Sequence, residues 1–133
     1  MTRRFEGERT LMRIFLGESD RCPAGRHKGR PLYEAILLTL REEGCAGATV
    51  VRAIAGFGAS ARLHTDKVLR LSTDLPVIVE VVEDEATLQR ILPLLDELMG
   101  GGLITLEKAH VVMYRAGGEA AEGPERSGGS PSA

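Results

Sequence analysis

The stretch GFGASARLHTDKVLRLSTD, residues 56–74, opens with Gly56-Phe57-Gly58-Ala59-Ser60-Ala61 and continues with Arg62, His64, Lys67 and Arg70. Glycines two apart let the backbone take positive φ and bring its N–H groups close to an anion. The basic residues behind them supply charge for a phosphate or an acidic partner. A second basic cluster, Arg21, Arg26, His27, Lys28 and Arg30, immediately precedes Pro31, where a helix start adds its own positive end. Both patterns point to anion binding, although a charge run alone is also what a solvated surface carries.

Several other chemistries are weighed on the same residues. G-x-G-x-x-A after a strand is the dinucleotide fingerprint, and Glu80 and Glu83 lie downstream where a ribose contact belongs. That reading needs a helix next, to aim its N-terminus at a pyrophosphate. Leu63, Val68, Leu69 and Leu71 make no clean helical stripe, and the chain is short for a doubly wound fold. Gly-Phe-Gly also occurs on RNA-binding sheets, but base stacking needs several exposed aromatics, and the chain has three Phe and two Tyr in all. A net charge of −2 gives no global attraction for nucleic acid or an anionic membrane. Cys22 and His27 are two candidate metal ligands, and two do not make a site. Cys22 and Cys45 match no metal or redox spacing, which fits inert thiols in a reduced cytoplasmic setting. No nucleophile–base signature and no carboxylate pair can be placed together, so the sequence does not argue for an enzyme or a metal site.

The elements that must position these residues follow from periodicity. TLMRIFLG, ATVVRAIAG, LPVIVEVVE and LITLEKAHVVMYR read as strands. PLYEAILLTLREEG reads as a helix with Pro31 in its first turn and Gly44 as its stop. DEATLQRILPLLDELMGGG reads as a second helix, capped by Asp84, with Leu88, Ile91, Leu92, Leu95, Leu98 and Met99 on one stripe and a kink expected at Pro93. The order β-α-β-β-α-β is the ferredoxin-like split βαβ arrangement, an α+β fold with two helices on one face of an antiparallel sheet. Residues 1–9 read as a loose polar leader. Residues 116–133, AGGEAAEGPERSGGSPSA, have no large apolar side chain and read as a disordered tail. The folded domain is therefore 10–115. No apolar run approaches the roughly 18–20 residues of a membrane span, so direct membrane insertion is not expected.

Two helices leave one sheet face uncovered. Alternation assigns to it Leu11, Arg13 and Phe15; Val50, Arg52 and Ile54; Ile78, Glu80 and Val82; and His110, Val112 and Tyr114. Their mates Val51, Ala53, Val77, Val79, Val81, Val111 and Met113 are assigned to the core. A contiguous apolar patch marks an interface. The face is therefore expected to pack against copies of itself, with Arg13, Arg52 and Glu80 pairing there, because an unpaired buried charge is costly. The alternative is a monomer with a half-wetted sheet.

GATVVRAIAGFG, a long loop, and then DLPVIVEVV resemble the strand, T-loop and strand of the nitrogen regulatory protein PII. With GRPLYEAI, HTDKVLRLSTDLPVIVE and GLITLEKAHVV, the chain more closely resembles a PII-like family of uncharacterised bacterial and archaeal proteins over residues 10–115. The resemblance implies a trimer packed through its sheets, and a signalling protein rather than an enzyme. It implies an adenine nucleotide in the clefts between subunits and a mobile loop, about 57–74, that controls a partner. Thr49, Gly56, Phe57 and Gly58 match the loop base that lies along the nucleotide. Gly102, Leu103 and Ile104 fall at the second phosphate-binding loop, and Arg115 matches a basic residue reaching in from the neighbouring subunit. Ser60, Arg62 and His64 extend the loop side of the site.

The pattern also departs from PII. Leu103 stands in place of a longer lysine-bearing loop, and Met113 in place of another arginine, so the triphosphate lining is thinned. AMP or ADP fits better than ATP. The basic residues Arg26, Lys28, Arg30, Arg62 and His64 are candidates to compensate. Relatives encoded beside a fluoride-channel type of protein imply a membrane transporter or channel as the target. The alternatives carried forward are an oligomeric interaction module without nucleotide, and a metal-binding trimer of the CutA type, which finds poor ligand support here.

Overall fold

The structure, a computed structural model, describes residues 4–58 and 74–117. Strand β1 (Arg4–Gly17) leads to helix α1 (Leu32–Glu42). Strands β2 (Thr49–Arg52) and β3 (Pro76–Glu83) follow, then helix α2 (Glu85–Leu98) and strand β4 (Leu103–Arg115). The four strands form one sheet in the order β2-β3-β1-β4, with every neighbouring pair antiparallel. This is the ferredoxin-like βαββαβ fold that the hydrophobic periodicity predicts. Most of the loop expected at about 57–74 and of the tail expected at 116–133, namely residues 59–73 and 118–133, lies outside the described residues.

One face of the sheet and the two helices enclose the core. Met12, Ile14 and Leu16 of β1 stand opposite Val81, Val79 and Val77 of β3, and all six are buried. Leu32, Ile36 and Leu40 of α1 and Leu88, Ile91 and Leu95 of α2 close over them. The i, i+4 and i, i+3 spacing of these leucines and isoleucines places them on one stripe of each helix. The buried Thr39 hydroxyl donates to the Ala35 carbonyl at 2.8 Å, which satisfies it within its own helix. Helix α1 stops where Gly44 takes φ of +92°. Helix α2 starts at Asp84, whose carboxylate accepts from the Thr87 N–H at 2.9 Å. It runs through Pro93, which lies on its exposed side.

The sheet departs from the sequence reading in three places. First, residues 4–9 are not a loose leader but the start of β1, paired with β4 beyond the end of β3. Backbone ladder bonds do not require apolar side chains, so a polar segment joins when a long partner strand offers its edge. Second, β2 is one residue out of the expected register. Val50 faces Val79 and Arg52 faces Val77, on the helix side, whereas Thr49 and Val51 share the open face with Glu80 and Ile78. Val50 packs against the core, and Arg52, at the strand end, bonds Glu18 at 2.6 Å. A one-residue slip moves every side chain to the opposite face, so Arg52 does not join Arg13 and Glu80. β2 also ends early, leaving Ile54 93% exposed. The Ala53 N–H reaches the Pro76 carbonyl, and the carbonyl of Leu75, just before β3, is taken by the Glu18 N–H.

Third, β4 is inverted over most of its length. Leu106 faces Met12 and His110 faces Glu8, so the even-numbered residues lie on the helix side and Val111, opposite Gly7, lies on the open side. Only after an irregularity between Phe5 and Gly7 does Tyr114 come opposite Phe5. The alternation of β4 hides this bulge, which switches the face between Val111 and Tyr114.

Asp84 tests the fold locally. Hydrogen bonds from the Thr87 side chain and backbone N–H, in that order, lower its carboxyl pKa from the ordinary value. The stabilisation is therefore present above the ordinary carboxylate pKa and is lost as pH falls through the lowered one. Asp84→Ala is expected to lower the urea midpoint at pH 7 and Asp84→Asn to lower it much less.

Candidate functional site

The open face is apolar with a charged centre. Arg13 lies between two carboxylates, bonding Glu80 at 2.9 Å and Glu107 at 3.2 Å. The Glu80 hydrogen bond, aided by the Glu107 charge, raises the guanidinium pKa further above its already high value, against partial desolvation. Leu11, Phe15 and Ile78, half-buried, surround this triad together with the exposed Val51, Val82 and Leu103. Of the three charges predicted to meet, the structure brings together Arg13 and Glu80, and the sequence reading missed Glu107.

The glycine residues gather at one end of the sheet. Gly56, at φ +149°, sits against Pro76, where an added Cβ would lie 3.2 Å from the proline ring. Gly102, at φ +123°, sits against the end of β1, and a Cβ there would lie 2.7 Å from the Phe15 carbonyl oxygen and 2.8 Å from Met99 Cε. Phe15 and Pro76 lie two residues apart along the paired β1 and β3 ends. The two glycine turns therefore flank the same strand ends, Gly56–Gly58 on the β3 side and Gly102–Ile104 on the β1 side. Phe57 is 66% and Leu103 55% exposed. Gly58, by contrast, has nothing within 4 Å of an added Cβ, so Gly56 and Gly102 are the positions that require glycine.

The same end is rich in carboxylates, which the sequence reading missed. The Gly17 N–H donates to Asp20 at 3.0 Å and the Ser19 N–H to Asp74 at 3.0 Å, while Glu18 holds Arg52. The spacing Gly17-x-x-Asp20 was the available turn signal. Arg52 is thus already neutralised. The cluster at 21–30 is also largely engaged. Arg26 and His27 face Glu42 at 3.8 and 3.3 Å, Arg30 faces Glu34 at 3.5 Å, and Arg21 bonds the Gly29 carbonyl. Ser60, Arg62 and His64 lie outside the described residues.

Thr49 and Arg115 are placed elsewhere. Thr49 stands opposite Glu80 on the open face. Arg115 is at the far end of β4, roughly 40 Å from Leu103 at about 3.3 Å per residue. Arg115 cannot reach the glycine turns of its own chain. Between the β1–β4 ribbon and the neighbouring turn and strand lies a cavity of about 570 Å³, lined by Phe5, Arg9, Leu11, Thr49, Val82, Met113 and Tyr114 among others, a volume typical of ligand sites.

Among the described residues, no three His, Cys, Asp or Glu side chains are grouped to hold a metal. Cys22 is buried with its Sγ 3.3 Å from the Ala24 carbonyl. Burial, reinforced by the Glu83 carboxylate, pushes the Cys45 thiol up to about 11, so it stays protonated near neutrality. Among the described residues, no helix is long and apolar enough to cross a membrane.

The profile of the DUF190 family, described as Uncharacterized ACR, matches residues 9–111. A UPF0166 protein of Aquifex aeolicus is 37% identical over 107 residues, covering 79% of this chain and 94% of its own length. A UPF0166 protein of Methanocaldococcus jannaschii is 37% identical over 102 residues, covering 76% and 89%. Among solved structures, the apo form of CPII from Thiomonas intermedia K12, described as a nitrogen regulatory PII-like protein, aligns with a TM-score of 0.43 and 16% identity, covering 84% of this chain and 97% of that one.

The two tight glycine positions can be separated from the open one. Gly102→Ala is expected to lower the unfolding free energy by about 1–3 kcal/mol, through positive φ and the Phe15 carbonyl. Gly58→Ala is expected to change it by less than about 0.5 kcal/mol. Thermal unfolding of the two variants side by side reads the difference.

Proposed function

This chain belongs to the DUF190 family, and on that premise we propose that it is a homotrimeric regulatory protein that senses a small anionic ligand at the clefts between its subunits. The observation that carries this reading is the split of the candidate site. Gly56–Gly58 and Gly102–Ile104 flank one end of the sheet, and Arg115 lies at the other end of the β1–β4 ribbon. One ligand can touch both only where two copies meet. The apolar open face, centred on Arg13, supplies a surface for that meeting.

The ligand class follows from the available groups. Glycine turns offer backbone N–H groups to a phosphate, and Arg115 offers a guanidinium. The carboxylates Glu18, Asp20 and Asp74 oppose a high anionic charge, which favours AMP or ADP over ATP. The resemblance of the loop base to PII supports an adenine nucleotide. It also supports a role for the segment 57–74 in controlling a partner, with a membrane transporter or channel as the proposed target. The carboxylate-rich end equally favours a second reading, an oligomeric interaction module that docks the same partner without nucleotide.

Calorimetric titration with AMP, ADP, ATP, cyclic AMP and cyclic di-AMP, each with and without magnesium, separates these readings. Saturable binding of an adenine nucleotide near one site per chain is expected, with AMP or ADP bound more tightly than ATP. Silence across the panel overturns the nucleotide reading and favours the ligand-free module.

A further inference from the structure

The tip of the β1–β4 ribbon sets Arg4, which no sequence motif assigns, opposite Arg115. The profile covers residues 9–111, so the ribbon tip, residues 4–8 and 112–115, lies beyond it. Up to Gly7, opposite Val111, the register is regular. Then β1 steps back two residues to Phe5 while β4 advances three to Tyr114, and Arg4 falls opposite Arg115. Without this bulge Arg4 would face Tyr114. Gly7 accommodates the irregularity with φ of +143° under the Phe5 ring, where a Cβ would lie 3.2 Å from Phe5 Cζ. The Arg9 guanidinium stacks 3.5 Å from the centre of the same ring.

The bulge therefore sets two like charges directly opposite each other, an arrangement that is destabilising in a strand pair. Residues so paired share a face, with Cβ atoms about 4.5–5.5 Å apart. Both arginines are exposed. Among the described residues neither makes a salt bridge, and the nearby carboxylate of Glu8 turns to Lys108 at 3.9 Å. Two unpaired guanidinium forks on one face are complementary to a tetrahedral oxyanion with several charged oxygens.

We propose that Arg4 and Arg115 form an anion clasp for a phosphoryl group, with Arg4 a binding residue in its own right. The proposal rests on the preceding reading for the ligand's identity. In that assembly Arg115 arrives at a neighbour's glycine end, and Arg4 arrives with it. The pair brings two positive charges to an end where, among the described residues, Glu18 holds Arg52 and Asp20 accepts from the Gly17 N–H. An anion in the clasp also relieves the repulsion between the two arginines.

The test uses the full chain and Arg4→Gln, with AMP, adenosine and inorganic phosphate as probes and sedimentation to report the assembly. Arg4→Gln is expected to weaken AMP about tenfold and to leave adenosine binding and the mass unchanged. Phosphate alone is expected to raise the Tm of the natural chain and not that of Arg4→Gln. If AMP and phosphate act equally on both chains, the clasp is overturned while the nucleotide reading stands. If phosphate stabilises through Arg4 but no adenine compound binds, the clasp stands and the nucleotide reading falls. If Arg4→Gln dissociates the assembly without altering affinity, Arg4 is an interface ion pair and the clasp is wrong. If the natural chain responds to neither AMP nor phosphate, both fall.

Discussion

Two helices cover one face of a sheet, and this sheet is apolar on both. Met12, Ile14, Val79 and Val81 are sealed beneath α1 and α2. On the reverse side Leu11, Phe15, Val51, Ile78, Val82 and Leu103 surround Arg13, with no element of the described chain over them. Burial stabilises at about 25 cal/mol per Å² of apolar surface, so leaving that face in water forgoes a large part of what the sequence can gain. The Arg13 triad fits the same constraint. Its guanidinium is bonded to Glu80 and Glu107 within the chain, so covering the face strands no charge there, and breaking a covered pair is far more costly than burying an intact one.

The functional reading depends on that uncovered face. The glycine turns and Arg115 stand at opposite ends of a long ribbon, so any site that uses both is built between copies. On the proposed function, assembly and ligand binding are one problem, since one chain would contribute the turns and another the arginine. The carboxylates at the glycine end sharpen the requirement. They bond the Gly17 and Ser19 N–H groups and Arg52, which orders the roots of the segment between β2 and β3.

The fold was legible because its strongest signals are periodic. The leucine stripe of α2, the Asp84 cap and the alternating β-branched residues of β3 each specify one element, and they agree with one another. Strand registry was less legible because it depends on partners far away in sequence. Val50 and Val51 are interchangeable in a local pattern, and only the pairing with Val79 and Ile78 decides which is buried. The β4 bulge is invisible for a similar reason, since Val111, Val112 and Met113 are all apolar and alternation cannot locate the extra residue. The polar residues 4–9 read as a leader because their order comes from the backbone edge of β4 rather than from their side chains. At the candidate site, Gly56 was singled out by its place in a glycine pair and Gly102 by the resemblance to PII, and both take positive φ. Glu18, Asp20, Asp74 and Glu107 were not, because carboxylates near turns are common and only three-dimensional proximity gives these a role.

The central claim is that the open face is covered by other copies of the same chain. Sedimentation equilibrium of the full chain at micromolar concentration, in moderate salt and without ligand, tests it most directly. The account predicts the mass of three chains, unchanged on dilution across that range. A single-chain mass would contradict it, leaving the face exposed and Arg115 without a glycine end to meet.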